Sequence, residues 1–88
     1  MTDLAIPTHI GEEEEMKKAE IVKKERRVAE KLKDLRIQRG MSQNALADKS
    51  GIDRKTVNRI ENNHFSPNLN TLFRLCETLS VKPAEVLK

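Results

Sequence analysis

Between Ser42 and Asn62 the chain reads S-Q-N-A-L-A-D-K-S-G-I-D-R-K-T-V-N-R-I-E-N, and few arrangements accommodate that order of residues. It specifies two short helices joined by a tight turn. Ser42 is placed to cap the first, its hydroxyl accepting a hydrogen bond from an otherwise orphan backbone N–H. Leu46 and Ala47 point inward, and the small Ala47 lets a second helix cross close by. Four residues later Gly51 supplies the positive φ that a sharp turn requires. Ile52 closes the turn against the core, and Asp53 caps the second helix. Val57 and Ile60, three apart, give that helix its buried stripe. The turn is expected at residues 50–53 and the second helix at 53–62.

The opposite face of the second helix points to function. At about 100° per residue, Arg54, Lys55, Asn58, Arg59 and Asn62 fall within roughly 140° of arc, away from Val57 and Ile60. That arc is cationic and amide-bearing and holds no acid. Arg pairs bidentately with O6 and N7 of guanine, Asn does the same with adenine, and Lys reaches guanine or a phosphate. Such a surface suits the DNA major groove.

These residues carry a resemblance. The stretch L-K-D-L-R-I-Q-R-G-M-S-Q-x-x-L-A before the turn, and I-E-N-N-x-x-x-P-N-L-x-T-L-x-x-L after it, are similar to the Cro/phage-repressor-like (XRE-type) helix-turn-helix family over residues 28–88. Gln43, Ala47, Gly51, Val57 and Ile60 keep that family's spacing. The resemblance implies an all-α, compact five-helix repressor-like domain, with Met41 packed inward. It also implies that Gln43 contacts a phosphate or base edge, and that the polar residues after the recognition helix touch the sugar-phosphate backbone.

Composition agrees. Three glycines, three prolines and no sustained alternation of apolar and polar residues argue for helices alone. Phe65 and Phe73 are the only aromatics, so the stacking platforms of single-strand binders have nothing to build on. Residues 1–25 carry four lysines against seven acids, whereas residues 26–88 carry thirteen Lys/Arg against seven acids. The basic part is the part with the motif, and a basic domain gains affinity for polyanions through counterion release. Cys76, the single cysteine, excludes an intrachain disulfide and falls on an apolar helical face, where it reads as a small buried hydrophobe. No signal peptide and no run of 18 apolar residues is present, so a cytoplasmic protein, nucleoid-associated when on DNA, is expected.

Ahead of the motif, residues 1–11 read as a flexible arm in which His9 has no ligand role. A charged helical extension is expected over 12–27, continuous with the first helix of a 28–88 domain. Glu12 to Glu15 followed by Lys17 and Lys18 suits the helix macrodipole, and no Gly or Pro intervenes before Gly40. Val28, Leu32 and Leu35 form the core stripe, and Ile21 continues it beyond the domain. The extension reads either as a solvated, charge-stabilised helix or as a surface for dimerisation or for another protein. Beyond the motif, Pro67 ends a loop, and a fourth helix starts at Asn70 or Thr71 with Leu69, Leu72, Phe73, Leu75, Cys76 and Leu79 largely inward. A short fifth helix lies within Ser80 to Leu87, and Thr78 to Lys88 is a candidate dimer edge.

The reading that joins these features is a sequence-specific regulator of transcription on double-stranded DNA, a homodimer that places two recognition helices about 34 Å apart on a near-palindromic operator. Base contacts are expected from Arg54, Lys55, Asn58 and Arg59, and backbone contacts from Gln43, Thr56, Asn62, Asn63 and His64. A phage-type repressor, a restriction–modification controller, or an antitoxin that represses its own operon would each fit. So would a protein-binding adaptor of the same fold, although three cations on one face argue against it. Two distant histidines, one cysteine and no Ser-His-acid set or Gly-rich phosphate loop leave no catalytic spacing, no metal cluster and no cofactor site.

Overall fold

The structure, a computed structural model, describes residues 10–88, with side chains from residue 17 onward; residues 1–9 of the arm expected over 1–11, His9 included, lie outside them. The described residues form five helices and no strand: α1 (Ile10–Gln38), α2 (Gln43–Ser50), α3 (Arg54–Glu61), α4 (Leu69–Thr78) and α5 (Pro83–Leu87). The first helix takes in Ile10 and Gly11 as well, ahead of the start expected at Glu12. At about 1.5 Å per residue it is roughly 43 Å long, far longer than the others.

Each boundary has a local cause. Ser42 Oγ accepts from the Ala45 N–H at 3.0 Å, Asp53 Oδ2 from the Lys55 N–H at 3.0 Å, and Asn68 Oδ1 from the Thr71 N–H at 2.8 Å. The third of these caps starts α4 at Leu69, slightly ahead of the expected start, because Asn68 rather than Asn70 or Thr71 satisfies the orphan donors. At the other ends, Gly40 (φ 68°), Asn63 (φ 59°) and Ser80 (φ 55°) turn the chain left-handed after α1, α3 and α4. In each, the next N–H reaches back to the third residue from the helix end: Met41 to the Arg36 carbonyl (3.1 Å), His64 to Arg59 (2.8 Å), Val81 to Cys76 (3.0 Å). Serine is the least suited of the three to this conformation. Ser80→Gly is therefore expected to raise stability by about 1 kcal/mol, read as a higher urea midpoint at unchanged slope.

The core joins Leu32 of α1, Leu46 and Ala47 of α2, Val57 and Ile60 of α3, Leu72, Leu75 and Cys76 of α4, and Leu79 and Val86, with Val28, Leu35, Met41, Ile52 and Val81 packed against it. Two expected core residues are not in it. Leu69 and Phe73 are 66 % and 51 % exposed, because they stand one turn apart on the outer side of α4 while Leu72, Leu75, Cys76 and Leu79 fill the inner side. Ile21 is likewise exposed, since α1 runs past the helices that cover Leu32. Burial pushes the Cys76 thiol above its ordinary pKa, which keeps it protonated and poorly nucleophilic.

Two long side chains tie distant ends together. Lys31 Nζ donates to the carbonyls of Glu85 (3.3 Å) and Lys88 (3.4 Å), and Arg39 Nε donates to the Leu79 carbonyl at 2.6 Å. The short α5 is thereby fixed to α1, and the loop before it to the end of the same helix.

Candidate nucleic-acid interface

The turn between α2 and α3 forms as its residues require. Gly51 adopts φ 72°, and its N–H and that of Ile52 both reach the Ala47 carbonyl, at 2.9 and 3.1 Å. A Cβ at Gly51 would lie 3.1 Å from Arg74 Nη1, the movable tip of a long side chain, so it is the left-handed backbone that favours glycine there. Buried Ser50 returns its hydroxyl to the Leu46 carbonyl at 2.6 Å and needs no other partner. With Leu46, Ala47, Val57 and Ile60 buried between them, α2 props α3 from behind.

The outward face of α3 carries Arg54, Lys55, Asn58 and Arg59, all exposed, and Asn62 continues it as the C-cap. Thr56 is half-buried at the side of the helix. Gln43 stands at the start of α2, half-buried, next to this face, and half-buried Asn63 and exposed His64 follow it in the turn after α3. All nine residues expected to contact DNA therefore occupy α3, the start of α2 and the turn after α3.

What sequence reasoning missed lies beneath that surface. Glu61, in the last turn of α3, is inward, its side chain only 2 % exposed. Arg36 of α1 grips it with two parallel bonds, Nε to Oε2 at 2.7 Å and Nη2 to Oε1 at 3.0 Å, and donates Nη1 to the Met41 carbonyl at 2.8 Å. Gln43 Nε2 donates to the same Oε1 at 3.1 Å. From there the bonding continues outward: Gln43 Oε1 accepts from Asn58 Nδ2, and Asn58 Oδ1 accepts from Asn62 Nδ2, each at 3.2 Å. A string of five polar side chains thus runs from the core to the exposed face. A signal for its buried end was present, since Glu61 follows Val57 by four residues and Arg36 follows Leu32 by four. Each places a charge beside a buried stripe, where it needs a partner.

The consequences are electrostatic as well as geometric. The one acid within α3 is turned inward and its charge matched, so the face it would otherwise weaken stays positive. No group of three or more His, Cys, Asp or Glu among the described residues could hold a metal, and no described helix is long and apolar enough to cross a membrane.

A capped helix propped behind a second, with Arg, Lys and Asn turned outward, defines a helix-turn-helix protein. The helix-turn-helix family matches residues 32–86, and the chain belongs to it, in its XRE-type branch. It is accordingly a DNA-binding transcriptional regulator of repressor-like plan. Among curated and solved relatives, it is 36 % identical over 56 residues to YgzD, an uncharacterised HTH-type transcriptional regulator of Bacillus subtilis (strain 168), spanning 64 % of this chain and 85 % of that one. The crystal structure of the restriction-modification controller protein C.AhdI from Aeromonas hydrophila superposes with a TM-score of 0.66 and 32 % identity, over 68 % of this chain and 91 % of that one. A hypothetical transcription factor, NHTF, from Neisseria gives 0.69 and 27 %, over 75 % of each chain.

Proposed function

We propose that this regulator represses transcription by laying α3 in the major groove of double-stranded DNA, as a homodimer on a near-palindromic operator. The observation that supports this most directly is the one-signed face of α3, whose single acid is buried against Arg36. In that pose Arg54, Lys55 and Arg59 meet base edges. Gln43, Thr56, Asn62, Asn63 and His64 fix the register on the sugar-phosphate backbone. Asn58 stands on the reading face too, with its amide already bonded within the chain. A dimer is favoured because one eight-residue helix covers only a few base pairs, and two-fold symmetry multiplies its specificity. The division into an arm, a charged extension over 12–27 and a 28–88 reading domain belongs to the same proposal. So do a cytoplasmic, nucleoid-associated location and a protein-binding role for the extension.

Among the jobs open to such a regulator, control of restriction–modification genes is favoured by the likeness to C.AhdI across nearly all of that chain. The test is a titration of the protein against fluorescent duplex from its own upstream region and against scrambled duplex, at two salt concentrations. Preference for the native duplex, with affinity falling steeply as salt rises, is the expected result, and a footprint with two-fold symmetry reports the dimer. Equal, weak binding to both duplexes would overturn the proposal and favour the adaptor reading.

A further inference from the structure

The loop after α3 carries Asn63 and His64, two of the proposed contacts to the DNA backbone, and its two ends are fixed locally. The N–H groups of Asn63 and His64 reach back to the carbonyls of Ile60 (3.0 Å) and Arg59 (2.8 Å), and Asn68 caps α4. Between those ends Phe65 and Ser66 are exposed. An open cavity of about 200 Å³ separates this stretch from α1, walled by Val28, Ala29, Ile60 and Leu72, with Asn63, Phe65, Ser66 and Pro67 on its loop side. A void offers the loop no dispersion contacts, so packing alone does not set its position. One bond spans the gap: Ser66 Oγ donates to Glu25 Oε2 at 2.6 Å, between residues 41 apart in sequence. That is the length of a hydroxyl bonded to a charged carboxylate, a stronger bond than a neutral pair makes. The hydroxyl has one proton, so while this bond lasts Ser66 does not also donate to a phosphate. Glu25 is half-buried and stands in α1 ahead of residues 32–86, within the charged extension.

We propose that Glu25 is a positioning residue for DNA binding: from the extension of α1 it holds, through Ser66, the loop that presents Asn63 and His64 to the sugar-phosphate backbone. The inference rests on the proposed operator reading and gives the extension a part in it within a single chain. Glu25 itself does not face the duplex as a contact, since a carboxylate repels phosphate. Its effect passes through the loop, and the loop sets register without reading sequence. The brace therefore tunes affinity for DNA in general, while Arg54, Lys55 and Arg59 keep the choice of bases.

The test has two parts, one with DNA and one without. The wild-type protein, Ser66→Ala, Ser66→Thr, Glu25→Ala and the double variant Glu25→Ala with Ser66→Ala are titrated at one salt concentration against duplex from the upstream region and against scrambled duplex. Ser66→Ala changes no charge and is expected to bind both duplexes about fivefold more weakly, the order expected for the loss of one partly exposed hydrogen bond. The ratio between the two duplexes stays that of wild type, and Ser66→Thr, which keeps the hydroxyl, binds as wild type does. In the Glu25→Ala background Ser66→Ala has no further effect, because the two side chains act as one unit. Wild-type affinity in Ser66→Ala, or the same loss with and without Glu25, would overturn the inference. Failure of the wild-type protein to prefer its upstream duplex would overturn the operator reading instead, and the brace is then decided by the measurement without DNA. There, backbone order parameters from NMR relaxation are expected to fall at Asn63 to Ser66 in Ser66→Ala and in Glu25→Ala alike, and to stay at wild-type values in Ser66→Thr. Unchanged order parameters in the two alanine variants would show that Glu25 does not hold the loop, and would sink the inference whatever the titrations give.

Discussion

Glu61→Ala is expected to lower stability by about 3–5 kcal/mol, the range for breaking a buried ion pair from one side. The size follows from what is left behind. Arg36 has its guanidinium within a site where its side chain is only 12 % exposed, and removing the carboxylate strands two of its donors together with the amide of Gln43. A domain of this size has a net stability of roughly 4–13 kcal/mol, so the loss removes a large share of it. Urea denaturation followed by circular dichroism measures the effect, and a midpoint within error of wild type would show that the pair contributes little. Arg36→Met with Glu61→Leu separates the two roles of the pair. Replacing both charges with apolar groups of similar volume is expected to restore most of the stability. DNA affinity is expected to stay low, because Gln43 no longer has a carboxylate to hold it at the interface.

The second large effect is on DNA. Arg59→Ala is expected to cost about 1–3 kcal/mol of operator affinity and to relax preference at one base pair in each half-site. Arg59 is exposed on the last turn of α3, and its backbone carbonyl already accepts the N–H of His64, so truncating the side chain leaves the helix end intact. Asn63→Gly serves as the contrast, since it removes the side chain and keeps the left-handed turn (φ 59°) that alanine would strain. At this proposed contact to the DNA backbone, the loss should fall evenly on all sequences. Competition titrations against duplexes altered one base pair at a time give both numbers. Equal losses for Arg59→Ala on operator and random DNA would remove Arg59 from the reading set.

Much of this protein was determined by residue order alone. Ser42, Gly51 and Asp53 punctuate two helices by local chemistry, and a cap or a left-handed glycine acts within three or four residues of itself. The helical period then divides α3 into a buried side, Val57 and Ile60, and a cationic side, Arg54, Lys55 and Arg59, before any neighbour is considered. That is why the two helices of the motif and the cationic face of α3 were both legible, while the five-helix plan was implied by the family resemblance. What the tertiary structure decided are matters between elements far apart in sequence. The outward turn of Leu69 and Phe73 depends on how many inner positions of α4 the other helices leave to fill, and composition cannot count those. The meeting of Arg36 with Glu61, and the passage of that bond through Gln43 to Asn58, joins three helices across 25 residues of chain. Nothing local specifies it: a charge beside an apolar stripe states only that a partner is required, and packing alone supplies which one and at what distance.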